Sequence, residues 1–344
     1  MQPKHSSPDD FIMYLRFAHE NPMSEVQSAP NLEFQKIYNE KWSTIHKGKE
    51  AEKLGATSAH QHIASNLWNS LRACLPESAI NYLDAHLSVG ALDSISVNAI
   101  CAKSAEGYFA ILLNAGLMTL LNKLSKILSA INDPGSVLYC NRIGSEQITT
   151  ETLKKWYLEV CEHYRETSKP LGPQIHLRGD AELRHCMQLN LWEMFVLCHE
   201  VGHILCGHLD KKEFLVKSVF LGMADTLEEN KNHEMEVEAD IVGFILLREY
   251  ANKELFHQRE DWTDDRPFLA AMITLFNLFY LLGATESRSH PHPLDRLCNI
   301  AAAVYGERFA DMLARSYDNH DLLAELFKNP IHASDTLVKE VLHD

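Results

Sequence analysis

The chain has 344 residues, 46% of them hydrophobic and 23% charged, which is enough apolar material for one large folded body or two ordinary ones and excludes a disordered chain. Lys plus Arg number 32 against 47 Asp plus Glu, a formal charge of −15. That balance lacks the basic footprint of a nucleic-acid binder and works against anionic lipid as the main partner.

The first twenty residues hold no apolar stretch long enough for a signal peptide. The cysteines Cys74, Cys101, Cys140, Cys161, Cys186, Cys198, Cys206 and Cys298 are scattered with no CxxC pair, so neither a zinc ribbon nor a thioredoxin-like motif is suggested. Free thiols without a signal peptide point to a reducing, cytoplasmic location. Residues 60–75 and 107–131 place apolar residues three and four apart and predict helices. Asp133-Pro134-Gly135 breaks the chain, and residues 136–144 predict a short strand. Residues 149–166 open with Thr and Glu in capping positions and predict an amphipathic helix. Residues 169–179, with two prolines and two glycines, predict a linker, with a short strand at Gln174 to Leu177. This divides the chain into an N-terminal helical region, 1–170, and a second domain, 171–344; a single fused helical body is the alternative.

Beyond the linker, an apolar stretch at 191–210 is followed by a charged loop at 226–232 and a helix from about His233 to His257. A break at 261–267 precedes an uncharged run, 267–284, whose 18 residues sit at the lower limit for crossing a bilayer. Thr274, Asn277, and the Pro267 and Gly283 at its ends favour a buried helix over a membrane span. The last forty residues predict helix and turns. The fold expected is mainly α, with at most a short edge strand or small sheet.

The stretch "LWEMFVLCHEVGHILCGHLD" sets His199, Glu200 and His203 in a run that is otherwise almost wholly apolar. Isolated polar groups in such a run are costly unless hydrogen-bonded, paired or bound to metal. Residues four apart share one face of a helix, about 6 Å apart along its axis, so His199 and His203 can grip one ion. Zinc suits two imidazoles plus one oxygen or sulfur ligand, with a fourth position for water, and Glu200 is placed to take that water's proton. This is the H-E-x-x-H arrangement of zinc peptidases. A metzincin would place a third histidine at position 209, which is Leu209; His208 falls one short. Downstream, "NHEMEVEADIVGFILL" offers Glu234, Glu236, Glu238 and Asp240. Glu236 and Asp240 share a face, as do Glu234 and Glu238. Asp240 runs into apolar "IVGFILL", where a carboxylate needs a partner such as the second N–H of a ligand imidazole.

Three blocks in this order resemble the gluzincin metallopeptidases of the HtpX and CAAX-prenyl-protease type: "HEVGHILCGH", "EVEAD" and "HPHPLDR". The resemblance covers residues 180 to 310. It implies a zincin-like helical core and one zinc ion per chain, bound by His199, His203 and Glu236, with Glu200 as general base. It also implies Asp240 as partner to a zinc histidine, and His290 and Arg296 as groups that reach the substrate carbonyl or the oxyanion. The chain departs from that family in having only one marginal apolar run. Phage-exclusion proteases of the Lit type and peptidases of the ImmA and IrrE type share parts of the same pattern. The function expected is a zinc-dependent endopeptidase acting on protein or peptide substrates, with no nucleic-acid partner. A non-catalytic zinc-containing sensor and a membrane-associated protease are the alternatives.

Overall fold

A computed structural model of the chain describes residues 4–19, 59–210, 217–218, 229–255, 266–283 and 291–318. Helices α1 (Pro8–His19), α2 (Ala59–Arg72) and α3 (Glu77–His86) lead into strands β1 (Leu87–Leu92), β2 (Ala99–Lys103) and β3 (Phe109–Asn114). Next come α4 (Ala115–Ile131), β4 (Val137–Cys140), α5 (Thr150–Thr167), β5 (Ile175–Leu177) and α6 (Asp180–Leu205). The remainder is β6 (Lys217–Ser218), α7 (Glu229–Tyr250), α8 (Arg266–Leu281), α9 (Pro293–Tyr305) and α10 (Glu307–Asp318). The protein is mainly α with a small sheet.

That sheet runs β1-β3-β2-β6, with β1 parallel to β3 and β2 antiparallel to it, and its strands β1 to β3 lie in the region expected to be helical. Residues 107–131, expected as one helix, are β3 followed directly by α4. The cause is the run "FAILLN", buried at every position. Burial on both faces removes the alternation that marks a strand, so short apolar runs do not distinguish strand from buried helix. The strand still alternates in what it touches. Phe109, Ile111 and Leu113 join the main core, while Ala110 and Leu112 pack with Phe11, Ile12 and Leu15 of α1 on the opposite face.

The strands expected near 136–144 and 174–177 are β4 and β5, which pair antiparallel, Val137 opposite Leu177. The segment expected as a linker therefore carries a strand buried along its whole length. Thr149 caps α5, its hydroxyl accepting the Thr152 N–H at 3.2 Å. The main cluster of buried residues draws on both sides of residue 170, from Ala64 to Leu313.

Helix α6 is the axis of this core. Its 26 residues span about 39 Å at 1.5 Å per residue. Every residue from Leu191 to Ile204 is buried, as expected of a helix packed on all sides. Helices α4, α7 and α8 lie against it, and so do β2 and β3. Residues 267–281 of the apolar run lie in α8, whose Ala271 carbonyl accepts the Trp192 indole N–H at 2.9 Å. Among the described residues, no helix is long and apolar enough to cross a membrane.

Candidate metal centre

The site is set by how closely α6 and α7 approach. A Cβ on Gly202 would stand 2.8 Å from the Ala239 carbonyl oxygen, and one on Gly243 would stand 2.9 Å from the His199 Cα. Both distances lie inside van der Waals contact, so the two backbones meet only because these positions lack side chains. Contact at that range brings Glu236 and Asp240 of α7 against the imidazoles of α6.

His199 Nε2 and His203 Nε2 stand 3.1 Å apart. Glu236 supplies the third corner, Oε2 at 3.4 Å from His199 Nε2 and Oε1 at 3.4 Å from His203 Nε2. A tetrahedral zinc ion with ligands near 2.0–2.1 Å requires ligand-to-ligand edges of about 3.3 Å, so these residues fit zinc. The charge fits as well. Glu200, Glu236 and Asp240 are buried carboxylates and Arg296 is a buried guanidinium; with the imidazoles neutral as ligands and the carboxylates ionised, a divalent ion would offset the excess of two negative charges.

Each imidazole is oriented by its other nitrogen. His199 Nδ1 lies 2.8 Å from Asp240 Oδ1, so its N–H donates there and the Nε2 lone pair faces the triangle. Asp240 also accepts two bonds from Arg296, Nε to Oδ2 and Nη2 to Oδ1, each 2.7 Å. Burial alone pushes the Asp240 carboxyl up, but the Arg296 charge and hydrogen bonds outweigh it and hold the group below its usual range. Burial pulls the His199 imidazolium down, yet Asp240 and then Glu236 outweigh that and raise its pKa to about 9 in the absence of metal.

His203 has a different partner. Its Nδ1 lies 2.8 Å from His208 Nδ1, and His208 Nε2 lies 2.9 Å from Glu238 Oε2. The turn that allows this follows Leu205. Gly207 takes φ 68°, a conformation costly for other residues, and sends His208–Asp210 back beneath the helix end. Lys103 of β2 pairs with Asp210 and fixes that turn to the sheet. A second tie holds α6 at Glu200: the Cys101 thiol donates to the Glu200 backbone carbonyl at 3.7 Å.

The structure thus brings His199, Glu200, His203, Glu236, Asp240 and Arg296 into one buried cluster. Glu234 and Glu238 are exposed, and His290 lies outside the described residues. Arg296 is placed otherwise than the resemblance implied. Its guanidinium is 3% exposed and engaged on Asp240, so it positions His199 through that carboxylate. His292, two residues past His290, caps α9, its Nδ1 accepting the Leu294 N–H at 3.3 Å. Sequence reasoning gave His208 no role, although the turn-permitting Gly207 in "HEVGHILCGH" was its signal. Comparison with protein-family models, with curated proteins and with solved structures found no match to this chain.

Proposed function

We propose that this chain is a zinc-dependent endopeptidase that hydrolyses peptide bonds in protein substrates. One zinc per chain is held by His199, His203 and Glu236. The observation that carries the proposal is a buried group of two Nε2 atoms 3.1 Å apart on the helix that also buries Glu200, with one Glu236 oxygen 3.4 Å from each. When bound, zinc supplies a Lewis acid that polarises the scissile carbonyl and brings a water's pKa to about 7. Glu200 is the general base: its carboxylate takes a proton from the attacking water and delivers it to the leaving amine. Asp240 and Arg296 hold His199 in the tautomer that offers Nε2, and His208 does the same for His203. A reducing, cytoplasmic compartment suits eight cysteines that are all free thiols.

Metal analysis and turnover test this together. Purified protein is expected to hold one zinc per chain, and His203→Ala to lose it. Glu200→Gln is expected to keep zinc and fold but to lose hydrolysis of casein or a peptide library by about 10² to 10⁴ or more. Stoichiometric zinc in His203→Ala, or cleavage by Glu200→Gln at the wild-type rate, would overturn the proposal.

A further inference from the structure

A second group of donors lies against the first. Cys206, His208 and Glu238 each present one ligand atom, all within 4.8 Å of one another. His208 is buried, whereas Cys206 and Glu238 are exposed, so the group opens to solvent on one side. Thiolate, imidazole and carboxylate are the ligand types zinc takes, and the open side leaves room for a water. Three separate pieces of the fold assemble the group: the end of α6, the turn made by Gly207, and the outward face of α7.

We propose that Cys206, His208 and Glu238 form an outer site for zinc or another thiophilic divalent cation, and that filling it antagonises the inner site. On binding, the cation displaces the thiol proton of Cys206 to water and the sulfur–metal bond forms in its place. The antagonism rests on the zinc reading of the inner site and follows from counting protons. With His203 Nε2 on an ion, the neutral ring carries its hydrogen on Nδ1 and donates it to His208 Nδ1, 2.8 Å away. His208 then carries its own hydrogen on Nε2 and donates it to Glu238 at 2.9 Å. A cation on His208 Nε2 moves that hydrogen to Nδ1, where two N–H donors face each other. The shared contact holds one hydrogen, so both sites cannot be filled without breaking it. High zinc therefore loosens the inner ion or turns the imidazole that holds it, which makes the outer site inhibitory.

Cadmium titration of metal-free protein under a non-thiol reductant tests both parts, because only the outer site contains sulfur. Bound metal is counted by equilibrium dialysis, and the outer site is followed by the ultraviolet thiolate-to-cadmium charge-transfer band. Wild type is expected to show the band and to bind two equivalents at saturation. Cys206→Ser abolishes the band and binds one; Cys186→Ser, at the other exposed cysteine, changes neither. His203→Ala, which removes the opposing N–H, is expected to fill the outer site at about tenfold lower cadmium. No band in wild type, or a full band in Cys206→Ser, overturns the outer site. Equal band midpoints in wild type and His203→Ala overturn the antagonism. Failure of the inner site gives a different result: one equivalent in wild type and none in Cys206→Ser.

Discussion

Replacing Arg296 by Met separates a residue that positions His199 from one that touches substrate. Arg296 and Asp240 are 3% and 0% exposed and share two hydrogen bonds of 2.7 Å. Met fills much of the same volume but leaves Asp240 buried with His199 and without the guanidinium that holds it ionised. Breaking a buried pair on one side costs about 3 to 5 kcal/mol. At about 2.1 cal/mol/K of unfolding entropy per residue, 344 residues give roughly 1.4 °C per kcal/mol, so the melting temperature should fall by about 4 to 7 °C. The double variant Asp240→Leu/Arg296→Met removes both charges, and apolar replacements of a buried pair are often neutral. Most of the lost stability should therefore return. Zinc affinity should not, because His199 Nδ1–H has lost its acceptor; a loss of about 10- to 100-fold is the usual scale. Calorimetry of the metal-free proteins reads the first quantity, and competition with a chromophoric chelator reads the second. An oxyanion donor gives the opposite pattern, with turnover down about 10² to 10³ at unchanged melting temperature. If Arg296→Met melts with the wild type and loses turnover on that scale, the positioning role is wrong.

Burial pushes the Glu193 carboxyl from 4.5 up to about 8. Between those values the unfolded chain is ionised and the folded one is not, so this group makes stability fall as pH rises through that window. Glu193→Gln should melt like the wild type near pH 4.5 and stand about 4 kcal/mol above it past pH 8; parallel pH profiles would refute this. Gly243→Ala should push α7 from α6 and cost about 1 to 3 kcal/mol. It should weaken zinc binding as well, because the ligands sit on both helices; unchanged affinity by chelator competition would show that the approach is not limiting. His292→Ala should cost about 0.5 to 2 kcal/mol as a lost helix cap, with turnover per folded molecule unchanged. A fall in turnover at constant melting temperature would move His292 into the site.

What was legible in the sequence followed from chemistry that demands fixed residue types. His199, His203 and Glu236 stand out because polar groups in apolar helices need a reason, and the structure sets their donor atoms on one triangle. The helices around them were visible from their period, as were the caps and breaks near Thr149 and Pro134. A small sheet was allowed for, but the place of β1 to β3 was not visible, because β3 is buried on both faces and "FAILLN" has no period to show. Nor was the partner of Arg296. A guanidinium in a proline-rich turn looks the same whether it faces substrate or a carboxylate 56 residues earlier, and only the packing of α9 on α7 decides.

That separation of 56 residues also bears on how the chain is made. Synthesis proceeds at about 5 to 20 residues per second, so Asp240 leaves the ribosome roughly 3 to 11 seconds before Arg296. During that interval, Asp240 seated beside His199 has the imidazole as partner but lacks the two guanidinium hydrogen bonds. The contact of α7 with α6, which brings Glu236 to the two imidazoles, therefore gains its last buried hydrogen bonds only once α9 has been synthesised. The guanidinium thus ties the final arrangement of these buried side chains to arrival of the helix that carries it.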